Sequence, residues 1–318
     1  MAKKKINTLY HYCSLDTFLK IIKNSSIWLS DIQKSNDFRE MAWFRQQYYD
    51  FILEKYNNTD DKNIKTICET IFSISAVDGF EKFPEWLLPT VRNHSKETRD
   101  IFFSLRTYAF CLSELSDSLG QWRGYANDGK GVAIGFSKKY LDAIDGYSLR
   151  CPKFNFLLGN ISYRKKFDSL FDKMFELHDK TKTDEFVLRT FIDLTRTSSL
   201  FKHPSFAEEK EWRIIYSMED LGITRNDLCF DNFDSFCSKR FLENFCKPNI
   251  DYVAKDNDII PHIEVKIKNL SKAIDSIVIG PKCLVSEKDM RHILLKEGII
   301  SEFNDKSIKI IHSESSYK

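Results

Sequence analysis

The chain has 318 residues, enough for one elaborated domain or two closely packed ones, and its 42% hydrophobic residues supply ample material for a core. Lysine and arginine total 48 against 46 aspartate and glutamate, so net charge gives no argument for non-specific binding to nucleic acid or acidic membranes. The eight cysteines form no Cys-x-x-Cys pair, and no apolar run approaches a membrane span or follows the basic Met1–Lys5 start as a signal peptide requires. A cytoplasmic protein with reduced thiols, no metal site and no membrane partner is expected.

In chain order, Leu9–Tyr12 predicts a short strand. Ser14 then caps a helix through Asn24 whose apolar side carries Phe18, Leu19 and Ile22. Ile27–Ser30 reads as a second strand, and Ser35–Asp37 opens a helix to about Lys55. Residues 63–75 and 96–105 are helical by pattern, with a loop over 78–89. Tyr108–Leu112 is a strand, Ser116–Ala126 a turn and short helix, and Gly131–Phe136 an apolar strand suited to a sheet interior. Leu157–Tyr163 is a further strand candidate, followed by helices over 167–180 and 184–202. Strands at Glu209–Tyr216, His262–Val265 and Ile274–Ile279, a helix at Ser286–Glu297 and a strand at Ser307–Ile311 complete the pattern. Several strand-to-strand links are too short for a crossover helix, so the expectation is one α+β domain spanning 1–318, with helical insertions at about 38–107 and 164–203.

Period-two alternation over Glu209–Tyr216 sends Glu209, Glu211 and Arg213 to one face, with Lys210, Trp212, Ile214 and Tyr216 on the other. Two carboxylates on a face shared with Ile215 need either partners or a function. In the first case Arg213 pairs with one of them, and in the second the face lines a cleft. His11 lies between two tyrosines, a setting more common for a hydrogen-bonded core histidine than for a catalyst. The glycines between Gly120 and Gly135 lie before or in a strand rather than opening a helix after one, which excludes the dinucleotide fingerprint. A nucleophilic triad is unsupported, since there is no Gly-x-Ser-x-Gly elbow and Cys13 lacks a defined partner set.

Taken together, Leu9-Tyr10-His11-Tyr12, Ile27-Trp28-Leu29-Ser30, Phe110-Cys111-Leu112-Ser113, Gln121-Trp122-Arg123-Gly124-Tyr125, Gly131–Phe136, Glu209–Ile214, Ile260–Glu264 and Ile279–Lys282 resemble the bacterial domain-of-unknown-function 2971 family. That family brings no activity with it. The opening Leu-Tyr-His strand, helix and Ile-Trp-Leu-Ser also resemble, more distantly, the start of ADP-ribosyltransferase folds, including the DNA-targeting toxin group. This second resemblance implies a split mixed β-sheet core with NAD as substrate, and a toxin or antiphage effector role.

By position it implies that His11 holds NAD from the first strand and that Glu211 or Glu209 is the late-strand carboxylate. The middle cleft residue is Ser113 or Tyr125. Glu209-x-Glu211 resembles the Glu-x-Glu element of arginine-directed transferases, whose second carboxylate is catalytic, although those enzymes begin with Arg where this chain has His11. Tyr12, Ser14, Ser113, Trp122, Arg123 and Tyr125 complete the implied cofactor-binding set, with Trp122 or Tyr125 stacking on nicotinamide. The acceptor is left open between macromolecule, small molecule and water, the last making the protein an NAD glycohydrolase. A non-catalytic interaction or sensor module on the same fold is the alternative.

Overall fold

The computed structural model describes residues 5–34, 38–62, 64–66, 68–69, 105–145, 156–164, 172, 198–219, 238–255 and 257–317. The fold is mixed α+β, built on a large, mostly antiparallel sheet with ten strands among the described residues. In chain order these are β1 (Thr8–Cys13), β2 (Ser26–Asp31), β3 (Leu105–Ser113), β4 (Val132–Ser137), β5 (Phe156–Asn160), β6 (Glu211–Glu219), β7 (Asn249–Lys255), β8 (Asp258–Lys266), β9 (Ile274–Ile279) and β10 (Lys309–His312). One path runs β10-β9-β4-β1-β3-β2-β8-β7, while β6 pairs with β3 and β5 pairs with β6. Among the described strands only β9 and β10 pair in parallel, joined through the helix Glu287–Lys296.

Strand β3 is where the sheet divides. Along one edge it pairs with β6 from Leu105↔Glu219 to Ser113↔Glu211. On the other edge β1 joins it only at Tyr10↔Ser113, and β2 only at Ser30↔Ala109 and Asp31↔Tyr108. Between those contacts β1 departs toward β4, which it follows over all six residues from Thr8↔Ser137 to Cys13↔Val132. Carbonyls of β3 facing that gap need other partners, because a buried carbonyl without a hydrogen bond is costly.

The helix α1 (Leu15–Asn24) spans the divergence of β1 and β2. Ser14 Oγ accepts from the Thr17 amide at 3.2 Å, and Ser25 ends the helix in the left-handed region at φ 49°. Phe18, Ile21 and Ile22 recur at helical spacing and are buried in the main core with Leu9, Phe110 and Ile134. Burial of each such side chain contributes about 1.5–3 kcal/mol. A second helix, α2 (Phe38–Asn57), lies in the 38–107 stretch and buries Phe44, Tyr48 and Ile52. Among the described residues, no helix is long and apolar enough to cross a membrane.

Several elements differ from the sequence expectation. Leu105 opens β3 rather than closing a helix, because residues 105–107 continue the β6 ladder; residues 96–104 and the 78–89 loop lie outside the described residues. The expected strand at Glu209 starts at Glu211 instead. Pro204–Glu209 is a 3-10 turn, and Lys210 leaves it in the left-handed region at φ 42°. The hairpin strand β7 has no counterpart in the sequence pattern; its alternation is weak because most of its residues are exposed. The helices expected over 167–180 and 184–202 lie mostly outside the described residues. Lys202 itself is not helical, since Phe201 bridges to Ser162.

Candidate functional site

The division of the sheet creates a pocket. His11 projects into the gap between β1 and β3, where its Nδ1 lies 2.9 Å from the Cys111 carbonyl oxygen. A carbonyl only accepts, so Nδ1 carries the proton and Nε2 keeps its lone pair. The imidazole thus replaces a ladder bond lost where β1 turns away. Its ring stacks on Phe110 at 4.1 Å between centroids. Burial lowers its pKa from 6.5 to about 4, against the raising effect of the Cys111 carbonyl, so His11 is neutral at physiological pH.

The pocket, about 40 Å³, is lined by Tyr10, His11, Tyr12, Cys111, Leu112, Gln121, Tyr125, Glu209 and Glu211. Gln121 and Tyr125 come from the short helix α3 (Leu119–Tyr125), Glu209 from the 3-10 turn and Glu211 from the first position of β6. Tyr12 is fixed at its hydroxyl, which donates to the Leu115 carbonyl at 2.8 Å and accepts from the Ser118 amide at 3.1 Å. Burial pushes its phenol above its usual range.

Beneath the pocket lies a buried charge cluster. Arg213 reaches Glu211 through Nε to Oε1 at 2.6 Å and Nη2 to Oε2 at 3.1 Å, and its Nη1 donates to the Ser199 carbonyl at 3.0 Å. Lys202 Nζ lies 3.2 Å from Glu211 Oε2 and 2.6 Å from Glu209 Oε2. Lys202 and Arg213 are each 1% exposed and Glu211 is 6% exposed, so the cluster is tolerated only because its charges pair closely. Burial pushes the Glu211 carboxyl up, but Arg213 and Lys202 outweigh it and hold the group below the ordinary carboxylate range. Two carboxylates and two cations cancel, so the cluster presents a fixed dipolar surface rather than a net charge.

The remaining candidates sit elsewhere. Ser14 is the cap of α1. Ser113 is buried, donating to the Glu209 carbonyl at 2.7 Å and accepting from the Leu115 amide, so it shapes the pocket wall without lining it. Trp122 is 0% exposed, edge-on to Tyr12 and bonded through Nε1 to Asp117 at 2.6 Å. It is therefore a core residue, and of the two rings only Tyr125 lines the pocket. Arg123 packs over the Tyr317 ring outside the pocket lining. Burial pushes the Cys13 thiol up to about 12, which makes it a poor nucleophile.

Sequence reading missed Lys202, Tyr10, Cys111 and Gln121. No periodic signal marks Lys202, which reaches the cluster through the bridge of Phe201 to Ser162 and its own amide bond to the Ser162 carbonyl at 3.2 Å. Among the described residues, no group of three or more His, Cys, Asp and Glu is placed to hold a metal ion.

The fold and site define an α+β protein whose sheet splits around a polar, aromatic-walled pocket backed by a buried ion cluster. Residues 121–214 match the family model described as Protein of unknown function (DUF2971), which supports placing the chain in that family. The matched segment carries Gln121, Tyr125, Lys202, Glu209, Glu211 and Arg213, while His11 lies outside it. No curated protein and no solved structure matches the chain.

Proposed function

We propose that the pocket receives the nicotinamide-ribose end of NAD and that the protein is an ADP-ribosyltransferase-like enzyme or an NAD glycohydrolase. The observation that carries this reading is the convergence of His11, Tyr125, Glu209 and Glu211 on one pocket at the split between β1 and β3. Cleavage of the nicotinamide-ribose bond sends its electron pair to the departing neutral nicotinamide and leaves an oxocarbenium-like ribose. Carboxylates placed beside that charge stabilise it, and one well-aimed interaction of this kind is worth roughly 2.7–4 kcal/mol. His11 Nε2, kept as an acceptor by the Cys111 bond, takes a ribose hydroxyl, and Tyr125 stacks on nicotinamide. A pocket of about 40 Å³ admits little more than a few solvent-sized groups, so entry of NAD requires the pocket to widen. In a bacterial cell, such chemistry suits a toxin or antiphage effector, acting on a macromolecule, a small molecule or water.

A non-catalytic sensor or interaction module is the second reading, favoured by one observation: both oxygens of Glu211 are already engaged by Arg213 and Lys202. Incubation of the purified protein with labelled NAD and a cell lysate separates the two. Nicotinamide release or label transfer, lost in His11→Ala while the fold is retained, supports the enzyme. Absence of binding, release and transfer by the wild type leaves the non-catalytic reading.

A further inference from the structure

Several polar side chains that line the pocket are already bonded within the protein. Glu209 takes Lys202, Glu211 takes Lys202 and Arg213, and the Tyr12 hydroxyl bridges the Leu115 carbonyl and the Ser118 amide. Gln121 is held differently. It is 8% exposed and lines the pocket, yet among the described residues its carboxamide makes no hydrogen bond. It stands four residues before Tyr125 on α3, so the two side chains leave one helix face, and both line the pocket while Trp122 turns into the core. A primary amide buried this deeply without a partner is uncommon in a folded protein. Its two N–H donors and its carbonyl oxygen are open to a ligand.

The backbone that carries Gln121 is fixed. The Trp122 amide donates to the Ser118 carbonyl at 2.9 Å, its indole Nε1 donates to Asp117 at 2.6 Å, and its ring lies edge-on to Tyr12. A Cβ built on Gly120 would stand 3.5 Å from Glu208 Oε1, so the helix runs against the 3-10 turn that carries Glu209. A ligand that bonds Gln121 has little more to order than one side chain.

We propose that Gln121 is a specificity-determining residue that reads the carboxamide of nicotinamide as a reciprocal amide pair, its Nε2 donating to the ligand carbonyl and its Oε1 accepting from the ligand NH2. This rests on the NAD reading of the site. The match is one of kind: each amide has both a donor and an acceptor, so the two close a pair of N–H···O bonds. A carboxylate, which only accepts, or a methyl ketone, which has no donor, completes one of the two at most. His11 Nε2, an acceptor with no partner among the described residues, is left for the ribose hydroxyl. The carboxamide lies away from the breaking C–N bond, so its two bonds are kept in the transition state and strengthen binding rather than the chemical step.

The test compares NAD with its acetylpyridine analogue, in which a methyl ketone replaces the carboxamide, and with its hypoxanthine analogue, altered only at the adenine end. Dissociation constants, KM, kcat and melting temperature are measured for the full chain and for Gln121→Met. The wild type is expected to bind NAD about tenfold more tightly than the acetylpyridine analogue and no more tightly than the hypoxanthine one. Gln121→Met should fold as the wild type does, raise KM for NAD roughly tenfold with little change in kcat, and bind NAD and the acetylpyridine analogue alike. Should Gln121→Met fail to fold, Gln121→Asn withdraws the carboxamide by one methylene, with the same loss of preference expected. A wild type that binds NAD and the acetylpyridine analogue alike, a folded variant that keeps the wild-type preference, or a preference that follows the adenine end instead overturns the proposal and leaves the NAD reading standing. A wild type that binds none of the three overturns both.

Discussion

Arg213 and Glu211 stand two residues apart on one face of β6, and the guanidinium holds the carboxylate by two bonds of 2.6 and 3.1 Å within a buried cluster. Strand alternation puts them side by side, and the β3 register sets Cys111 opposite Arg213 and Ser113 opposite Glu211. The pair is structural in its energetics, and its Glu211 lines the pocket at the same time. Removal of either charge takes a close, charge-assisted partner from the other in the interior. Arg213→Met should therefore cost about 3–5 kcal/mol in unfolding free energy, measured by urea denaturation. A loss below about 1 kcal/mol, the range of an exposed pair, would show that the cluster is solvated in solution.

Stability should also fall on the acid side of neutrality because of His11. Its pKa is about 4 in the folded state against 6.5 for the ordinary imidazole. Between those values the unfolded chain binds a proton that the folded protein refuses, so stability rises with pH and declines as pH drops from 6.5 toward 4. Glu211 acts in the same direction. Its depressed folded pKa gives stability that is complete above the ordinary carboxylate value and is lost as pH falls through the folded one. Melting temperatures of the wild type and His11→Asn, measured from pH 7 to pH 5, should give a steeper slope for the wild type. Equal slopes would place His11 in solvent.

Asp117 ties the pocket wall to the segment after β10. Its carboxylate accepts from Trp122 Nε1 at 2.6 Å, Ser313 Oγ at 2.7 Å and the Glu314 amide at 2.8 Å. Burial raises its pKa, but these bonds prevail and hold the group low. Asp117→Ala leaves the buried Trp122 indole without this acceptor, at a cost of about 1–3 kcal/mol. Amide exchange over both Leu119–Tyr125 and Ser313–Tyr317 should accelerate in that variant. Acceleration in only one of them would mean that Asp117 does not couple the two.

Two glycines should respond in opposite senses to alanine. A Cβ at Gly131 would lie 2.0 Å from the Cys13 carbonyl oxygen and 3.1 Å from that of Ala126, so the backbone between β1 and β4 must shift. Gly131→Ala should cost about 1–3 kcal/mol or more. Gly124, within α3, has nothing within 4 Å of its Cβ position, and Gly124→Ala should stabilise by about 0.5–1 kcal/mol through helix propensity. Chemical denaturation of the two variants checks both signs.

Much of the framework was legible along the chain because its signals are local. Ser14 and Ser286 cap the helices that follow them, and Asp289 completes the box at the second. The apolar run at Val132–Phe136 reads as an interior strand because it is buried throughout. Hydrophobic alternation failed where exposure removed it, at β7, and where turn geometry intervened, at Glu209. Extrapolating the strand pattern back through the left-handed Lys210 gave Glu209 a face by counting, whereas it reaches the pocket from a 3-10 turn.

The sequence by itself determined that Glu211 and Arg213 share a face, because strand alternation depends only on neighbouring residues. It also placed His11 on the opening strand. Only the tertiary structure decided that β1 leaves β3 after Tyr10↔Ser113, that His11 answers the Cys111 carbonyl there, and that Lys202 joins Glu209 to Glu211. Those relations depend on pairings between distant segments, and a buried charge takes whichever partner the packing brings within reach.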